Sequence, residues 1–184
     1  MIVATAFWRR LDTPGHDACR LVQTGVGWRL EGAAVFLHDG APAQLAYQVT
    51  CDQSWVTLHG EVRGWAGERP VELRAARSAE GVWALNDAVA GNLERCLDLD
   101  FGFTPATNLL QLRRAGLAVG QSADVPVAWL DLSTGALELL PQRYERRSES
   151  AYWYEAERFS YAALLEIAPS GFVERYPSLW EAQP

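Results

Sequence analysis

The sequence predicts a mainly β protein in which a long antiparallel sheet curls around one buried helix. Three observations carry this prediction. Apolar and polar residues alternate at a period of two through much of the chain. Turn dipeptides recur between the alternating runs. One segment breaks the alternation with the chemistry of helix ends.

Leu45, Tyr47, Val49 and Cys51 alternate with Gln44, Ala46, Gln48 and Thr50, as a strand with one apolar face requires. Val56, Leu58 and Val62 share a face against Thr57, His59, Glu61 and Arg63. Leu97, Leu99, Phe101 and Phe103 alternate with Cys96, Asp98, Asp100 and Gly102, and the second set reads as a polar, solvated face. Phe159, Tyr161, Ala163, Leu165 and Ile167 form a fourth apolar face. Asp39-Gly40, Ala66-Gly67, Glu80-Gly81, Thr134-Gly135 and Ser170-Gly171 supply turns. Short strands at this spacing predict an antiparallel meander rather than repeated β-α units.

The exception is the segment 104–115. Thr104 can cap a helix, Pro105 suits its first position, Arg113 and Arg114 suit its C-terminal dipole, and Gly116 suits the residue beyond its end. Leu109, Leu110 and Leu112 do not form one narrow stripe, so the helix is expected to be buried on several sides. Strands on both sides of it in sequence predict one wrapped domain over 1–184.

Composition narrows the function. The 184 residues are 49% hydrophobic and 21% charged, which supports a core and excludes a disordered chain. Eight Trp, six Tyr and six Phe against one Met make aromatic rings the main core-shaping groups. A net charge of -7 argues against nucleic acid as partner. All 16 cationic side chains are Arg; the absence of Lys excludes a P-loop and a Schiff-base lysine. The short apolar start resembles no export signal, and no stretch has the length of a membrane span. Cys19, Cys51 and Cys96 suggest no disulfide framework, so a soluble cytoplasmic protein is expected.

No metal site and no catalytic residue stands out. His16, His38 and His59 lack partners at ligand spacing, and neither G-x-S-x-G nor S-x-x-K occurs. The densest polar cluster is Asp98, Asp100, Thr104, Thr107, Asn108, Arg113 and Arg114. These groups could fasten helix to sheet, or line a cavity and orient a polar head group. A second candidate is the aromatic stretch with Tyr144, Tyr152, Trp153, Tyr154, Phe159 and Tyr161, whose rings suit sugar stacking, amphiphile binding or a core.

The run Leu97-Asp98-Leu99-Asp100-Phe101-Gly102-Phe103-Thr104-Pro105-Ala106-Thr107-Asn108, followed by Leu112-Arg113-Arg114, resembles the bacterial putative glycolipid-binding family. Val127-Ala128-Trp129-Leu130, Gln142-Arg143-Tyr144 and the closing 171–180 extend the likeness over nearly the whole chain. Gln111 stands where the family pattern commonly has Pro, which permits a longer helix here. The resemblance implies a spiral β-roll wrapped around a central helix, and a homodimer. Its functional label rests on likeness of shape to periplasmic carriers that hold acyl chains.

The resulting expectation is non-catalytic binding of an amphiphile, such as a glycolipid, in a groove between sheet and helix, with no cofactor. Asp100, Thr104, Thr107, Asn108, Arg113, Arg114, Tyr144 and Tyr154 are the candidate ligand-binding residues. The acyl part would fill an unoccupied space on the order of 300 Å³ or more, and Arg113 or Arg114 would meet an anionic head. Two alternatives stand beside it. One is an enzyme that uses Asp98 or Asp100 with an Arg on a small anionic or lipid-like substrate. The other is a structural dimer with an aromatic interface.

Overall fold

Hairpins paired in chain order build most of the molecule. The structure is a computed structural model and describes residues 1–184. Its first half comprises β1 (Ile2–Arg10), β2 (Gly15–Gln23), β3 (Gly27–His38), β4 (Ala41–Asp52), β5 (Thr57–Ala66), β6 (Arg69–Arg77), β7 (Trp83–Leu85) and β8 (Ala88–Ala90). After β9 (Asp98–Phe101) come α1 (Asn108–Ala115), β10 (Ser122–Asp124), β11 (Val127–Asp131) and β12 (Ala136–Leu140). The chain closes with β13 (Arg143–Arg146), β14 (Ala151–Ala156), β15 (Tyr161–Ile167), β16 (Val173–Tyr176) and β17 (Trp180–Ala182).

Fourteen strands form one sheet in the order β10-β13-β14-β15-β16-β17-β1-β2-β3-β4-β5-β6-β7-β8. The last strand therefore pairs with the first, Trp8 opposite Ala182, and joins the two halves. Asp39 and Gly40 both adopt positive φ, 50° and 79°, in the two-residue turn between β3 and β4. That is the conformation an Asp-Gly hairpin turn favours. Along β4, Leu45, Tyr47, Val49 and Cys51 are all buried, as their alternation predicts.

The inner face of this sheet covers α1 and a second sheet ordered β12-β11-β9. The covered segment is held from both halves. Tyr47 of β4 reaches Thr104, and Tyr144 of β13 reaches Asn108 and Gln111. Along the helix, Asn108, Leu109, Leu110, Gln111 and Leu112 are buried, and Gly116 ends it at φ 55°. The mainly β architecture around one helix is thus as predicted.

Four local expectations are corrected. First, Leu58 lies 40% exposed while Thr57 and Val62 point inward. A register shift pairs Thr50 with His59 but Cys51 with Thr57, so Leu58 is the extra residue of a bulge. Second, the face of Asp98 and Asp100 is buried, not solvated. Strand β9 pairs in parallel with β11, making one β-α-β unit within an otherwise antiparallel fold. Its free edge is satisfied by side chains: Leu99 N–H donates to Thr57 Oγ1 and Phe101 N–H to Thr107 Oγ1, at 3.1 and 3.4 Å. Third, the helix begins at Asn108, because Thr104 Oγ1 accepts the Ala106 N–H at 3.0 Å and closes a separate turn. Fourth, Phe159 leaves the strand for a short 3-10 turn, Glu157–Phe159, and is 49% exposed. No helix is long and apolar enough to cross a membrane. All three cysteines are free and buried.

Candidate functional site

The turn between β9 and α1 collects three buried acids. Each is satisfied differently. Asp98 receives a bidentate pair from Arg114, with Nε at 2.9 Å and Nη2 at 2.7 Å. Asp100 has no cation. Thr107 Oγ1 donates to its Oδ1 at 2.6 Å, and Gln142 Nε2 to its Oδ2 at 2.8 Å. Asp17 of β2 also lacks a cation and receives hydroxyls from Tyr47 and Thr104. Burial pushes all three carboxyls upward, because a charge is poorly solvated there. For Asp17 the rise reaches about 7, against the opposing pull of the Thr104 and Tyr47 hydrogen bonds.

Behind Asp100 lies a network of neutral groups. Asn108 Nδ2 donates to the Tyr144 hydroxyl at 2.8 Å, and that hydroxyl donates to Gln111 Oε1 at 2.7 Å. Gln111 Nε2 is buried without a hydrogen-bond partner. Tyr144 packs on Tyr154 at 5.0 Å between ring centroids, and Tyr154 meets Tyr176 edge-on at 5.7 Å. The polar network and the tyrosine cluster therefore share one wall.

That wall faces a cavity of ≈ 390 Å³ between the β9–α1 turn and the second half of the large sheet. Asp100, Phe101, Thr104, Asn108, Leu140, Tyr154, Ala156 and Tyr176, all nearly inaccessible, line its depth. Gly102, Trp129, Phe159, Tyr161 and Leu179 line its more open part. The Trp129 indole lies so close over Gly102 that a Cβ there would stand 2.6 Å from its Nε1.

Asp100, Thr104, Asn108 and Tyr154, among the residues anticipated from sequence, line this cavity. Thr107 and Tyr144 lie immediately behind, bonded to Asp100 and Asn108. The two arginines are elsewhere. Arg114 is committed to Asp98. Arg113 is exposed, donates to Ser170 O at 2.7 Å, and borders a separate groove of ≈ 430 Å³ with Arg146 and Tyr152. The largest cleft, ≈ 570 Å³, is lined mainly by charged and polar groups such as Arg95, Asp124, Arg143 and Glu155.

Phe159, Tyr161 and Tyr176 of the aromatic stretch also line the cavity, whereas Asp17, Tyr47, Gln111, Gln142 and Trp129 were not anticipated as site residues. Asp17 carried a legible signal, since it shares the parity of Cys19 and Leu21 and so points inward. Gln142 carried none, because its partner Asp100 is 42 residues away.

A family profile described as putative glycolipid-binding matches residues 5–182. The crystal structure of a DUF1089 family protein from Pseudomonas aeruginosa is similar, with 26% identity, a TM-score of 0.80 and coverage of 91% of each chain. No functionally curated protein matches the chain significantly in sequence. The fold is thus shared with a solved relative, the profile spans almost every residue described above, and the chain belongs to the putative glycolipid-binding family.

Proposed function

We propose that the protein binds an amphiphile without transforming it, in the ≈ 390 Å³ cavity beside α1. The cavity is the observation that carries this reading. A ligand-sized space walled by Trp129, Phe159 and three tyrosines, with convergent polar groups from Asp100 and Asn108, has the make-up of a small-molecule site. Apolar contact would drive binding at about 25 cal/mol per Å² removed from water. The family description supports the same ligand class.

The test is displacement of a neutral fluorescent probe, N-phenyl-1-naphthylamine, by lipid extracted from the host. Wild-type protein should enhance the probe's emission, and the extract should reverse it. Ala156→Phe, which inserts a ring where Ala156 lines the cavity, should abolish the enhancement while far-ultraviolet circular dichroism stays unchanged. An unresponsive wild-type protein that also yields no lipid in native mass spectrometry would end this reading.

A homodimer belongs to the same proposal. Phe7, Ala18, Ala33 and Ala46 stand in one row across β1 to β4. All four are exposed, as are nearby Val35 and Trp65. An isologous contact across this outer face would cover them.

A further inference from the structure

We infer that the deep end of the cavity takes the uncharged, hydroxyl-bearing head of the ligand, while its apolar chain lies across the aromatic rim. The inference rests on the amphiphile reading above and fixes the direction of entry. Polarity decides that direction. Asp100, Thr104 and Asn108 all stand at the deep end, beside the buried Phe101, Leu140 and Ala156, whereas the opening has Phe159, 49% exposed, with Trp129 and Leu179. An acyl tail seated at the deep end would set the Asn108 Oδ1, which has no partner within the protein, against hydrocarbon.

Charge decides the head. No Arg lines the cavity. Arg114 is held by Asp98, and Arg158 lies over the outer Trp129 ring at 4.9 Å, bridged to Glu138. A phosphate or carboxylate at the deep end would meet Asp100 and no cation, which is costly in a poorly solvated site. Hydroxyl donors are complementary there. Asp100 already receives Thr107 Oγ1 and Gln142 Nε2, with the Gln111 side chain and the Phe101 N–H beside it, so the open acceptor is on Asn108. Asn108 uses its Nδ2 on Tyr144, and its Oδ1 receives no hydrogen bond within the protein. Tyr154 and Tyr176, on the same wall, offer aromatic surface to the C–H face of a saturated ring. A hexosyl or glycerol head has this combination of hydroxyl donors and apolar C–H surface.

Nuclear magnetic resonance of the wild-type protein tests the direction directly. The probes are n-octyl glucoside below its micelle concentration, octanoate, octyl sulfate and methyl glucoside. The expected result is contact of the glucosyl ring protons with the Ala156 and Leu140 methyls, and of the octyl methyl with the Phe159 ring. Octyl glucoside should bind about tenfold more tightly than either anionic amphiphile, a difference one poorly compensated charge can produce. Contact of the octyl methyl with Ala156, or equal binding of octanoate, overturns the head-first arrangement and leaves amphiphile binding standing. Methyl glucoside binding as tightly as octyl glucoside keeps the head site but removes the amphiphile, leaving a free sugar as the ligand. Failure of all four probes removes both readings.

Discussion

Asp17 and Asp98 are both buried acids, one held by hydroxyls and the other by a cation. Asp17 has only hydroxyl partners, and its folded pKa of about 7 stands above the ordinary 3.8. The folded state therefore binds more protons than the unfolded state between these values. Stability from this group is present at acid pH, is lost as pH rises toward 7, and is constant above. The shift corresponds to at most ~4 kcal/mol. Asp17→Asn, whose amide can bond both hydroxyls, should flatten that part of the decline in urea unfolding measured from about pH 4 to about pH 7. An unchanged slope would contradict the assignment. Asp98 instead depends on Arg114. Removal of the guanidinium by Arg114→Ala leaves a buried acid unpaired and should cost about 3–5 kcal/mol near neutral pH. The cost should shrink in acid, where Asp98 takes up a proton, and urea titrations at two pH values check both parts.

At the scale of elements, β9 is the least expected feature. Its sequence alternates, which in an antiparallel meander reads as one wet face and one dry face. The strand is instead buried on both faces, as parallel strands of a β-α-β unit are. Close approach to β5 makes this possible. Gly60 leaves room for Leu99, and a Cβ at Gly60 would overlap Leu99 Cδ2. Gly60→Ala should therefore destabilise the protein by about 1–3 kcal/mol, visible as a lowered thermal midpoint with native circular dichroism at 20 °C. The helix behaves more simply. Its C-terminal signals, Arg113, Arg114 and Gly116, mark the end correctly because such signals act within one turn. Its start lies at Asn108 because Thr104 closes its own turn on the Ala106 N–H, and Thr107, at the N-cap, gives its hydroxyl to Asp100 rather than capping the helix.

For the whole molecule, pairing of β1 with β17 brings the chain ends together and lets one sheet cover α1 from both sides. The outer face of this sheet then carries the alanine row with Phe7, Val35 and Trp65. Static light scattering at micromolar concentration should give twice the chain mass, and Trp65→Glu should shift it toward the monomer; a wild-type monomer would contradict the dimer.

The sequence by itself determined the β class, the buried helix with its C-terminal end and the long hairpins; of the eight residues it singled out, Asp100, Thr104, Asn108 and Tyr154 line the cavity. Alternation and turn chemistry are local, and they write themselves into neighbouring residues. Tertiary structure alone decided that β9 is dry on both sides, that Arg114 serves Asp98 while Arg113 faces outward, and that Asp17 and Gln142 join the site. Those outcomes depend on contacts such as Thr104 with Asp17, 87 residues apart. No local period encodes a pairing across that distance; it exists only once the sheet has closed over the helix.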